Sequence, residues 1–293
     1  MESSSQVSPP VVANAATGGE TPNASIGANQ PLLSLRNISK HFGAVHALSG
    51  VNLDIPTAKV TALIGDNGAG KSTLIKTIAG IWGPSEGDIF WNGEHVTIKT
   101  PREADELGVA TVYQDLALCD NLDVVANMFL GHESLRHRLL DENKMEADAK
   151  KTLAGLSVTT VKSVHQLVES LSGGQRQSVA VARAVMRDAK LVIMDEPTAA
   201  LGVSQTAQVL GLIRRLADRG ITVLVISHNL NDVFSIADRL AVMHLGRMVH
   251  SGPIADYTPQ SAVEIITTGK FVGDTSNSRT SQFEKAQETT HDQ

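Results

Sequence analysis

Gly65-Asp66-Asn67-Gly68-Ala69-Gly70-Lys71-Ser72 fits the spacing Gly-x-x-x-x-Gly-Lys-Ser, in which a glycine-rich backbone curls its N–H groups around phosphate oxygens. A helix that opens on Lys71 turns its positive end toward the same oxygens. Lys71 is then expected along the β and γ phosphates as a mobile charge, and the Ser72 hydroxyl on a bound magnesium ion. Glycine-rich turns before helices are common. One that follows a buried strand and ends in Lys-Ser specifies a nucleoside triphosphate, ATP or GTP. Kinases, GTPases and ATPases share the loop, so the reaction must be read from other residues.

Leu191-Val192-Ile193-Met194 places Asp195 and Glu196 at the mouth of a buried strand. There Asp195 can hold magnesium through water, opposite Ser72, and Glu196 can orient or deprotonate an attacking water. Leu171-Ser172-Gly173-Gly174-Gln175 precedes a regular stretch from Arg176 to Arg187. Ser172 and Gln175 have capping-box spacing, and the two glycines expose backbone donors, so a second anion-binding helix start is expected. One triphosphate needs one phosphate loop, so this second cradle is expected to close over nucleotide held by a partner. His228 follows the apolar run Ile221 to Ile226, where a γ-phosphate sensor could stand. A lone histidine beyond a strand is more often a surface or cap residue.

These groups need a scaffold in a definite order. Ala58 to Ile64 reads as a strand buried on both faces that runs into the glycine loop, and Leu74, Ile75 and Ile78 recur at helical spacing after it. Leu32 to Ile38 and Val45 to Ile55 read as earlier strands, and Asp88–Trp91, Asn92-Gly93 and His95–Ile98 as a hairpin with a tight turn. Residues 107–113 read as another strand, stopping at Gln114. Val124 to Leu130 and Asn143 to Leu156 carry helical periodicity, so about 116–170 is expected to be a helical insert. Leu191–Met194, Ile221–Ile226 and Leu240–Leu245 with Met248–Val249 complete the strands, and Val209, Leu212, Ile213 and Leu216 share a helix face. The expected class is α/β, with a mainly parallel sheet and antiparallel additions.

Composition narrows the partners. With 25 basic and 31 acidic residues the net charge is −6, which repels polyanions, so nucleic acid is not an expected partner. The single cysteine, Cys119, cannot form an internal disulfide, and is compatible with a reducing compartment. No run of about 18 apolar residues is present, and Met1-Glu2-Ser3-Ser4-Ser5 lacks the pattern of a signal peptide, so an intracellular location is expected. Residues 1–31 are polar and aperiodic and read as a flexible tail. The polar 269–293 reads as a second tail, with a weak helix around Phe283 to Ala286.

The phosphate loop Gly65 to Thr73, Gln114, Leu171-Ser172-Gly173-Gly174-Gln175, Asp195-Glu196 and His228 stand in an order that resembles the ATP-binding subunits of ABC transporters, over roughly Leu32 to Thr268. The resemblance implies a P-loop NTPase core, an antiparallel N-terminal β-subdomain and an inserted helical subdomain. It implies ATP and Mg2+ as cofactors, and a head-to-tail dimer in which each signature closes on the other subunit's ATP; a homodimer would supply both sites. Gln114 would link the magnesium site to the insert, where a membrane subunit docks, and His228 would touch the γ-phosphate or position the water beside Glu196. Phe42 matches the position of an aromatic ring stacked on adenine. Where many members have aspartate this chain has Gly202, which removes that side chain from communication across the dimer. The wording around Ala199 to Val203 and Ile221 to Gly252 resembles importers of ribose, xylose and fructose type. This implies transport-coupled ATP hydrolysis at the cytoplasmic face of the membrane, through permease subunits and, indirectly, a substrate-binding protein. A different transported substrate, or a nucleic-acid maintenance ATPase, is the alternative. The latter normally separates Lys71 from the signature by long coiled coils, and this chain has no such heptads.

Overall fold

The structure, a computed structural model, describes residues 30–270. The segments expected as tails, with the weak helix near Phe283, lie outside the described residues, apart from Gln30 and Pro31 at the start of the first strand and Gly269 and Lys270 at the end of the last helix.

The described residues open with β1 (Pro31–Phe42) and β2 (Val45–Pro56), an antiparallel pair. Next come β3 (Val60–Gly65), buried throughout, and α1 (Lys71–Ile78). The hairpin β4 (Glu86–Trp91) and β5 (Glu94–Val96) turns on Asn92 and Gly93, whose φ values of 50° and 81° are the pair a tight two-residue turn requires. It joins the first strands in a four-stranded antiparallel sheet, ordered β2-β1-β4-β5.

Then α2 (Pro101–Leu107) leads into β6 (Val109–Val112). The strand is shorter than the expected 107–113, because the helix claims Leu107. Thr100 caps that helix by accepting from the Glu103 N–H, and Pro101 fills its first position, so the start signal was present in sequence. After β6 come α3 (Val124–Phe129), a small hairpin of β7 (Leu135–Arg136) and β8 (Leu139–Leu140), and α4 (Glu142–Gly155). Two-residue strands are too short to leave a periodic signal.

The rest of the core is α5 (Gly173–Val185), β9 (Leu191–Asp195), α6 (Val203–Asp218), β10 (Thr222–Ile226), α7 (Leu230–Ile236), β11 (Arg239–His244), β12 (Arg247–Pro253) and α8 (Pro259–Thr268). The main sheet runs β12-β11-β3-β10-β9-β6, parallel except for β12.

Both faces of the sheet are covered at its centre, which is why β3, β9 and β10 are almost wholly apolar and buried. Side chains alternate between two cores. Leu191, Ile193, Leu224 and Ile226 pack with α1 and the antiparallel sheet. Val192, Met194, Val223 and Val225 pack with α3, α4, α5 and α6. The sheet is thus fixed between the β-subdomain on one side and the insert and its flanking helices on the other.

Candidate nucleotide site

Leu63 pairs with Ile226, and Ile226 with Asp195, so β3, β10 and β9 end side by side. Ligands of open α/β sheets bind beyond such carboxyl ends. The glycine loop leaves β3 there, Asp195 closes β9 with Glu196 beside it, and Ser227 and His228 follow β10.

Close backbone approach fixes the loop. A Cβ on Gly65 would stand 2.4 Å from the Met243 carbonyl oxygen of β11, and one on Gly70 would stand 2.8 Å from that of Ala47. Gly70 is the N-cap of α1 at φ 97°, and no side chain caps the helix. The first-turn N–H groups have no intrahelical acceptor. They border a cleft of about 510 Å³ lined by Asn67 to Thr73, Val45, His46, Ala47, Leu245 and Gly246. Of these, Val45, His46, Ala47 and Leu245 escape the sequence reading, because tertiary contacts alone bring them to the loop. Gly246 donates to the Ala69 carbonyl (3.0 Å) and accepts from the Ser49 N–H (2.9 Å). No local signal marks them.

Lys71 folds its ammonium over the loop and donates to the carbonyls of Gly65 (2.7 Å) and Asp66 (3.0 Å). Burial lowers its pKa, against the negative charges of Glu196, Asp66 and Asp195. Burial and then the charge of Glu196 raise that of Asp195, while Lys71 and Lys76 oppose the shift. The Asp195 carboxylate makes no hydrogen bond or ion pair among the described residues. A desolvated carboxylate without a donor, and the exposed hydroxyl of Ser72, are hard oxygens of the kind that suits magnesium. No group of three or more His, Cys, Asp or Glu among the described residues could hold a metal ion.

Glu196 sits in the left-handed region at φ 49° and donates its N–H to the Ile226 carbonyl (2.9 Å). That unusual backbone turns its side chain, 16% exposed, to within 2.8 Å of His228 Nδ1, whose own side chain is 75% exposed. The sequence-predicted acid and histidine therefore meet, across a separation no sequence pattern bridges.

Three other expected features belong to α5, to the end of β6 and to the end of β1. Ser172 and Gln175 form the capping box of α5: the Ser172 side chain accepts from the Gln175 N–H, and Gln175 Oε1 accepts from the Ser172 N–H (2.8 Å). Gly173 and Gly174 let Leu201 and Gln205 approach, to 2.8 and 3.1 Å of where a Cβ would be. No hydrogen bond or ion pair among the described residues joins Ser172–Gln175 to the phosphate loop. Gln114 is exposed just beyond β6. Phe42, 40% exposed at the end of β1, meets Trp82 edge-to-face, with ring centres 4.8 Å apart at 74°. Trp82 is absent from the sequence reading; a tryptophan just past a helix end carries no pattern of its own.

A family model described as "ABC transporter" matches residues 48–199. The fructose import ATP-binding protein of Rhizobium meliloti is 44% identical over 250 residues, 83% of this chain and 96% of that protein. The xylose/arabinose import ATP-binding protein of Sulfolobus acidocaldarius is 44% identical over 237 residues, 81% of this chain and 94% of that protein. Among solved structures, a nucleotide-free ATP-binding cassette from an ABC transporter superposes with a TM-score of 0.70 at 31% identity, covering 80% of this chain and 98% of that one. With its glycine loop, acidic strand end and histidine gathered at one sheet edge, the chain belongs to the ABC transporter family, as one of its ATP-binding cassettes.

Proposed function

We propose that this chain is the ATP-hydrolysing subunit of an importer, that a monosaccharide is the cargo, and that it works as a head-to-tail pair with a second ATPase subunit, a further copy of itself. The observation that carries the reading is the meeting of Lys71, Asp195, Glu196 and His228 at the carboxyl ends of β3, β9 and β10. ATP would lie along Gly65 to Thr73, its adenine against the exposed ring of Phe42. The loop N–H groups and Lys71 would stabilise charge on the transferred phosphoryl. Glu196 would take the proton of the attacking water, with His228 holding its carboxylate and the γ-phosphate in register. Ser72 and Asp195 would hold magnesium, with Gln114 reporting on it to the insert; when bound, the ion neutralises charge on the β and γ phosphate oxygens.

Ser172, Gly173, Gly174 and Gln175 make no hydrogen bond or ion pair to the phosphate loop of their own subunit among the described residues, which supports a site completed by a partner. The names of the fructose and xylose/arabinose import proteins support the sugar assignment. Permease subunits would hold the cassette at the cytoplasmic face of the membrane, and a substrate-binding protein would act through them. No helix among the described residues is long and apolar enough to cross a membrane.

Glu196→Gln tests the chemistry. The variant should bind ATP and magnesium, hydrolyse roughly 10²–10⁴ times more slowly, and elute from a sizing column as a trapped dimer. Normal turnover together with a monomer would remove Glu196 from its role. Uptake of labelled fructose, xylose and ribose by cells with and without an active Lys71 tests the cargo. Unchanged uptake of all three would sink the sugar reading and leave the ATPase intact.

A further inference from the structure

The β7–β8 hairpin has no role in the nucleotide site, yet it carries the most exposed apolar side chains of the insert. Leu135 is 66% exposed, Leu139 74% and Leu140 54%. Leu135 pairs with Leu140, and Arg136 with Leu139. Directly opposed residues share a face, so leucines stand on both faces of the ribbon. His137 and Arg138 form the turn at φ 51° and 71°, a conformation that favours Asn-Gly over bulkier side chains. Backbone geometry does not account for the choice of side chains at this tip.

The base of the hairpin is held in place. The Asp141 N–H donates to the Ser134 carbonyl (2.8 Å), and the Asp141 carboxylate accepts from the Lys144 N–H to cap α4. Of the other acids that flank the hairpin, Glu133 accepts from the Gly131 N–H (3.0 Å) and Glu142 opens α4. All three negative groups stand at the base, outside the two strands and their turn, and Arg136 and Arg138 give the projecting part a positive charge on a chain whose net charge is −6.

We propose that the β7–β8 hairpin is a membrane-surface contact that takes anionic lipid headgroups. The arginines meet the phosphates, their stems lie along apolar surface, and Leu135, Leu139 and Leu140 settle at the boundary between headgroups and acyl chains. A flat protein surface covers one face of a ribbon. A lipid interface surrounds both, and the leucines are on both. The contact rests on the peripheral location proposed above only for its setting, and would orient the insert against the bilayer independently of a permease.

The test is co-sedimentation of the full chain with vesicles of phosphatidylcholine alone and of equal parts phosphatidylcholine and phosphatidylglycerol, without nucleotide. The chain should bind the anionic vesicles only, less so as salt is added. Arg136→Gln with Arg138→Gln should weaken binding by roughly tenfold or more, and Leu135→Ser with Leu139→Ser should also weaken it. Melting temperature and basal ATPase rate should not move. Equal binding to both vesicles, no binding, or binding indifferent to both pairs of substitutions would overturn the proposal. A photo-crosslinker at Leu139 in native membranes gives the second readout. Lipid adducts support the contact, and adducts confined to a protein overturn it. Because neither assay needs hydrolysis or sugar, their failure is separable from failure of the ATPase reading.

Discussion

At Asp195 a negative charge is held against its surroundings. Burial raises its pKa, and the neighbouring Glu196 adds to the shift. A carboxyl whose folded pKa lies above its unfolded value stabilises the fold at low pH, and that contribution is lost as pH rises through the folded pKa. Asp195→Asn should therefore melt higher than the parent near about pH 7, with the gain disappearing as pH falls into the ordinary carboxylate range. The same variant should lose magnesium-dependent ATP binding, so a thermal scan and a binding titration would move in opposite directions. Gly65→Ala forces a Cβ against the Met243 carbonyl, and should destabilise the fold by about 1–3 kcal/mol in denaturant titration. The identities of both residues were legible in sequence, one from its place after four apolar residues and the other from the loop spacing. The reason Gly65 must be glycine was not, since Met243 belongs to a strand far along the chain.

Helix starts and helix-to-loop contacts decide how the elements cooperate. Ser172 caps α5, and it is also assigned to the partner's phosphate. The two roles separate by substitution. Ser172→Ala should cost about 1 kcal/mol of stability through the lost cap, and Ser172→Asp should keep the cap. A carboxylate at an anion cradle should nevertheless abolish ATP-dependent dimerisation, as light scattering would show. Further along α5, Arg183 donates to the carbonyls of Leu116 (2.9 Å) and Ala117 (2.8 Å), just past Gln114. Arg183→Met should cost roughly 1.5–3 kcal/mol, the worth of hydrogen bonds from a charged donor, and should speed amide exchange over residues 114–118. The strands of the parallel sheet were legible because burial on both faces makes them continuous apolar runs. The helix α2 was missed despite Thr100 and Pro101, and the β7–β8 hairpin because its strands are only two residues long.

On the scale of the whole molecule, the phosphate loop and the α5 cradle make no polar contact within one chain. In a head-to-tail pair each would complete the other's site. Specific ATPase activity should then rise with protein concentration over the dilute range and level off as the pair saturates. A rate per chain independent of concentration, from a species shown to be monomeric, would argue that one cassette suffices.

The sequence by itself determined the chemistry that is possible: a triphosphate loop, an acidic strand end, a second anion cradle, and the α/β alternation that carries them. Each of these is a local pattern, set by spacing within one segment. Only the tertiary structure decided that β3, β9 and β10 end side by side, that His228 stands beside Glu196, and that Val45, His46 and Leu245 wall the cleft. Strand order and the left-handed turn at Glu196 fix those meetings. They depend on packing between distant segments, which neither periodicity nor motif spacing encodes.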